Sequence, residues 1–269
     1  MEDGSSVEDG GSAFAPAVLK SWSQRKNLLP GLALVALAAA GWVYVAYQSS
    51  PMASTERMAM GGTSGGIIFL SGWTAMMVAM MVPATLPLIL LYRTIAHNRL
   101  GSARAQFGMV ALLAGYVALW AATGIPVYAY ARYAEATGSL ATVLPASLLL
   151  VGGVYQFTPL KRICHARCSS PLFFLLRNWR PGASGAVRLG MVHGVDCLGC
   201  CAGLMVGLVA LGAMNLVWML TAAAIIFAEK TIPESHHIAR PLGVVMIGVG
   251  ALLLVTSLLG GMAPWMESM

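Results

Sequence analysis

Long apolar runs broken by short polar stretches, most of them basic, set the pattern of this chain. Runs near 30–47, 67–91, 107–130, 140–157, 190–211, 214–228 and 241–260 approach the roughly 20 helical residues that cross a hydrocarbon core about 30 Å thick. The pattern predicts an all-α fold, a polytopic transmembrane bundle of about seven helices. The fourth and sixth runs are short for a span, which takes about 17–25 residues. Six spans are therefore possible, with one of these two re-entrant or merged with a neighbour, and the sixth is the weaker of the pair. No period of about 20–50 residues repeats along the chain.

Basic residues near span ends are retained on the cytoplasmic side of a membrane, so their placement predicts the orientation. With the N-terminus inside, the cytoplasmic segments hold 14 of the 16 Lys and Arg residues. These fall in four groups: Lys20 to Lys26, Arg93 to Arg104, Lys161 to Arg188, and Lys230 with Arg240. Arg57 and Arg132 remain outside. An odd number of spans and a bacterial plasma (inner) membrane location follow as expectations.

Composition supports the same class. Charged residues make up 10% of the chain and hydrophobic residues 58%, against roughly 25% charged in a soluble domain. The topology accounts for the net charge of +6 without any nucleic acid partner. The lipid bilayer is the expected surrounding. Residues 1–27 read as a disordered cytoplasmic tail. Residues 28–269 form the transmembrane domain, with a basic cytoplasmic segment at 158–189. The first apolar run imitates a secretory signal but is expected to stay as an uncleaved span, because the remaining topology needs it.

Five cysteines change the picture from a bundle to a site. Cys164 and Cys168 form a C-x3-C pair, Cys197, Cys200 and Cys201 form a C-x2-C-C cluster, and all five fall within 38 residues. On a helix, side chains four apart stack on one face, so Cys197, Cys201 and Met205 share a stripe with Cys200 one step around. A ladder of Gly199, Gly203 and Gly207 runs beside it, the kind of surface on which another helix docks closely in lipid. Counted from the start of the fifth run, Cys197 is expected about 10 Å inside the membrane by the helical rise. A short helix after Pro159 would place Cys164 and Cys168 on one face and on the same side of the bilayer, so the two groups can meet.

Thiolates suit Cu(I), zinc and iron–sulfur clusters, and the cytoplasm disfavours structural disulfides. His165 and His193 are possible additional ligands. Asp196, at membrane depth, needs a partner or a wet cavity; the basic residues near Arg188 are candidates. A lone cysteine is commonly a small buried hydrophobe, and neither spacing is a zinc-finger pattern. The clustering of five on one membrane face carries the metal reading.

Methionines extend it. Met76, Met77, Met80 and Met81 make two overlapping M-x3-M pairs on neighbouring stripes of the second span. Thioethers are soft, neutral ligands for Cu(I) that sit in lipid at little desolvation cost. Met52, Met58 and Met60 precede them in the expected outer loop, which suggests a path from outer methionines to inner cysteines. Methionine is also ordinary packing material. Pro83 and Pro87 can kink this span, and Glu229 with Lys230 can pair with each other or gate the cytoplasmic mouth.

Trp73 to Pro83, Tyr155 to Lys161 followed by Cys164 and Cys168, Cys197 to Cys201 with Leu204 and Met205, and Glu229-Lys230 together resemble an uncharacterised family of predicted metal-binding integral membrane proteins. The likeness covers roughly residues 65–245. His165 stands where that family is expected to have an apolar residue, and Ala202 where it is expected to have an aromatic one. The resemblance implies metal binding and supplies no reaction.

Three functions follow as expectations. The leading one is a membrane Cu(I) protein that transports copper or delivers it to a membrane metalloenzyme, a carrier rather than an enzyme. The second is a membrane thiol-disulfide oxidoreductase using Cys197 and Cys200. The third is an accessory subunit of a larger membrane complex, with structural zinc and other membrane subunits as partners. No P-loop is present, which argues against pumping driven directly by ATP in this chain. Oligomeric state is not legible.

Overall fold

A computed structural model describes residues 25–49, 63–136, 143–212, 215–231 and 236–259. The described residues are helical, with short turns between helices. In chain order the helices are α1 (Arg25–Gln48), α2 (Thr63–Leu100), α3 (Ser102–Ala136), α4 (Val143–Tyr155), α5 (Pro159–Ser169), α6 (Pro171–Asn178), α7 (Gly182–Ala210), α8 (Leu216–Thr231) and α9 (His236–Leu258). The expected all-α architecture is therefore present. Helix α1 takes in the last three residues assigned to the tail, and the rest of that tail lies outside the described residues, as do Met52, Met58 and Met60.

Of the seven or six spans expected, the described residues supply at most six: five helices, α1, α2, α3, α7 and α9, are long and apolar enough to cross a membrane, and α4 with α5 makes a sixth if that bent pair is one span. The expected fourth run yields only the 13 residues of α4, about 20 Å of helix at 1.5 Å per residue. The chain then bends by 68° into α5. Proline causes this break: Pro159 pushes Thr158 to an extended conformation at φ −73° and ψ 148°, and Thr158 caps the restarted helix by accepting from the Lys161 amide. The expected sixth run yields α8, 16 residues or about 24 Å, too short to pass as a span alone.

Helix α7 is the hub, packing on α3, α4, α5 and α8, while α2 bridges α1 and α3 and α9 lies along α4. Glycine allows the closest of these approaches. A Cβ on Gly190 of α7 would lie 2.0 Å from the Leu112 carbonyl oxygen of α3, and one on Gly115 of α3 would lie 2.2 Å from the Val187 carbonyl oxygen of α7. The two backbones thus meet at a pair of reciprocal glycines, the small-residue contact used where helices must associate without a hydrophobic drive. The expected ladder on α7 is occupied too: Gly203 faces the Gly152 carbonyl of α4, Gly199 faces Cys164 of α5, and Gly207 faces Met246 of α9.

The bundle turns apolar side chains outward, with Leu29, Val43, Phe107, Ile125, Val151 and Leu252 all exposed. This surface is compatible with lipid as its solvent. Inside, one packed cluster joins Trp73, the four methionines of α2, Tyr116 and Trp120 of α3, all five cysteines, Met205, and Met219 of α8.

Candidate metal centre

Helical spacing brings Cys197, Cys201 and Met205 onto the buried face of α7, with Cys200 beside them. The Cys200 and Cys201 thiols lie 3.0 and 3.1 Å from the Cys197 carbonyl oxygen, to which each donates. Helix α5 then delivers Cys168 from across the interface. The ligand atoms of Cys168, Cys197 and Cys200 all lie within 4.8 Å of one another, and all three residues are buried. The five cysteines are free thiols. Three sulfurs from two helices at this spacing can close on one soft cation with small side-chain adjustments.

Helix α7 starts at Gly182, ahead of the apolar run, so Cys197 stands midway along it, about 22 Å from its start by the helical rise.

A family model for copper chaperones, PpoB2, matches residues 70–253. The chain belongs to the PpoB2 copper chaperone family. That match contains the methionines of α2, the cysteines of α5 and α7, and Lys230 of α8, so the family's region and the packed sulfur cluster coincide. No curated protein and no solved structure matches the chain.

Within this PpoB2 region the remaining candidates divide. Cys164 is buried on α5 but outside the close trio; it packs against Gly199, where a Cβ would lie 2.5 Å from its sulfur. Cys201 donates to the Cys197 carbonyl as Cys200 does and lies beside both on the buried face of α7. His165 turns away, with Nε2 2.8 Å from the Glu229 carbonyl oxygen. His193 is buried one turn before Cys197, its ring against Tyr116 at 5.8 Å and Phe174 at 5.1 Å, and its Nδ1 has no hydrogen-bond partner among the described residues. Met76, Met77, Met80, Met81 and Met205 are all buried in the cluster that holds the trio.

The polar groups around the sulfurs are arranged differently from the sequence expectation. Glu229 and Lys230 do not pair with each other. Glu229 binds Lys161 of α5, with Nζ 2.9 and 3.1 Å from its two oxygens, and Lys161 also donates to Gln156. Lys230 instead donates to Cys197 Sγ at 3.0 Å, and the Tyr116 hydroxyl lies 3.2 Å from the same sulfur. Asp196 faces Arg167 at 3.8 Å rather than the region of Arg188.

Sequence reasoning missed Tyr116, Lys161 and Gln156 as neighbours of the centre. Tyr116 lies on an otherwise apolar span with no partner visible by spacing. A signal existed for Lys161: a lysine two residues past a proline, within a basic stretch, is buried only if it has a carboxylate, and Glu229 is one of few available in the apolar part of the chain.

Proposed function

We propose that this protein binds Cu(I) in the membrane at the site formed by Cys168, Cys197 and Cys200, and carries it for delivery to a membrane metalloenzyme. The observation that supports this most strongly is the buried three-sulfur group within a region that matches copper chaperones. Cu(I) is satisfied by a few soft ligands, whereas structural zinc is held by four in a closed tetrahedral site. The close trio drawn from two helices meets the smaller requirement.

Met76, Met77, Met80, Met81 and Met205 serve as weak, neutral ligands along the approach to the trio. Because thioethers carry no charge, copper can leave them again at low cost. The N-terminus lies in the cytoplasm of a bacterial inner membrane, in the orientation that the basic residues favour. His193, with its unpartnered nitrogen beside Tyr116, is the nearest nitrogen candidate on α7 for a transient ligand.

Elemental analysis of protein purified under reducing, anaerobic conditions tests the reading, alongside a variant with Cys197, Cys200 and Cys201 all changed to serine. Copper on the unaltered protein and its loss in the variant is the expected result. Zinc on the unaltered protein and its loss in the variant would favour the accessory-subunit reading. One feature favours the thiol-disulfide alternative: Cys197 accepts from Lys230, with the Tyr116 hydroxyl at 3.2 Å, and a neighbouring lysine is what activates a reactive thiolate. Metal-free protein with a reversible dithiol would decide for it.

A further inference from the structure

The two buried lysines beside the sulfurs have different partners. Lys161 is matched by the Glu229 carboxylate, which it meets through both oxygens. Asp196 is matched by Arg167. Lys230 is buried on α8 and has no carboxylate paired with it among the described residues; its recorded partner is Cys197 Sγ at 3.0 Å. An ammonium in an apolar interior is costly unless a negative charge accompanies it. Among the described residues around Lys230, the sulfurs of the metal centre, with Tyr116 beside them, can supply that charge.

This arrangement bears on how many thiolates a bound ion can have. One Cu(I) held by two thiolates carries a net charge of −1, which a single ammonium balances. One Cu(I) held by three carries −2 and leaves a charge unmatched at the centre of the bundle. We propose that Lys230 is the counter-charge of the copper site, a positioning residue that holds Cys197 as a ligand and limits Cu(I) to two thiolates. The third cysteine of the trio then stays a neutral thiol within reach, ready to take over the ion by exchange when copper moves on. This rests on the Cu(I) reading above and goes beyond it, because it assigns the coordination number and the residue that sets it.

The test uses the full chain in detergent, loaded anaerobically with Cu(I) alone. X-ray absorption reads the number of sulfurs on copper, and competition with a chromophoric Cu(I) chelator reads affinity. The unaltered protein is expected to show two-sulfur coordination. Lys230→Gln is expected to lose about tenfold or more in affinity, and Lys230→Arg to keep most of it, since the charge is retained. The double variant Lys161→Met with Glu229→Gln, which removes a self-balanced pair, is expected to stay within about threefold.

Three sulfurs on copper in the unaltered protein, or Lys230→Gln binding as tightly as the parent, overturns the inference while leaving copper binding intact. No copper on the unaltered protein overturns the proposed function and this inference with it. If Lys230→Gln does not fold, the coordination number of the unaltered protein decides alone.

Discussion

The bundle has two halves that solve opposite problems. One half, α2, α3 and α7, consists of long uninterrupted helices in close backbone contact, with 38, 35 and 29 residues. The other half consists of broken or short pieces: α4 bent by 68° into α5, and the 16-residue α8. The long helices contribute apolar walls, methionines and the Cys197–Cys201 run. The short ones bring Lys161 on α5 and both Glu229 and Lys230 on α8, while Asp196 beside Cys197 comes from α7. A long apolar helix facing lipid has little room for an ammonium along its length. A short one enclosed by other helices can carry it, under the rule that charge away from water is tolerated only where protein surrounds it.

The sharpest way to break the first half is to separate its backbones. In Gly190→Leu the new Cβ would meet the Leu112 carbonyl oxygen at 2.0 Å, a backbone atom that cannot swing aside. Ordinary overpacking costs about 1–3 kcal/mol, and a shift of a whole helix exceeds that. The expected outcome is loss of the folded, monodisperse species on fluorescence-detected size-exclusion chromatography. Recovery of protein with unchanged melting would show that α3 and α7 are not held as described.

The second half breaks through charge instead of shape. Lys161→Met leaves the Glu229 carboxylate buried without its partner, which costs about 3–5 kcal/mol when a buried pair loses one member. Adding Glu229→Gln removes the stranded charge, so the double variant is expected to recover most of the lost thermal stability. A single variant as stable as the double one would mean that the pair contributes only packing. The design matters because replacing a whole buried pair is commonly neutral.

These contrasts also explain which parts were legible in the sequence. The all-helical class, the stripe of Cys197, Cys201 and Met205, the glycine ladder and the short helix after Pro159 all follow from periodicity and local rules, and the structure contains each of them. Span number followed only in part: the short fourth and sixth runs marked the doubtful spans, but hydropathy reads apolar length and does not show which of them crosses. Helix α7 begins ahead of its apolar run, because Gly182 to Leu189 is only moderately apolar yet packs as helix against α3. Partners were least legible. Adjacent Glu229 and Lys230 point to different sides of α8, since neighbours in sequence do not face each other on a helix, and each finds its partner on another element.

The methionines of α2 belong to the regular half but pack into the cluster that both halves enclose, so they separate packing from chemistry. Leucine nearly matches methionine in volume, and such exchanges usually cost less than about 1.5 kcal/mol. In the double variant Met76→Leu with Met80→Leu, the fold is therefore expected to melt close to the parent. The Cys168, Cys197 and Cys200 trio is untouched, so copper bound at equilibrium is expected to stay the same. What falls, if the thioethers pass copper inward, is the rate at which Cu(I) added to one side of a proteoliposome reaches a chelator on the other. The expected reduction is several-fold, because a neutral stepping ligand is replaced by hydrocarbon with no affinity for the ion. Unchanged rates with unchanged binding would reduce these methionines to core packing and confine the copper chemistry of this protein to the cysteine centre.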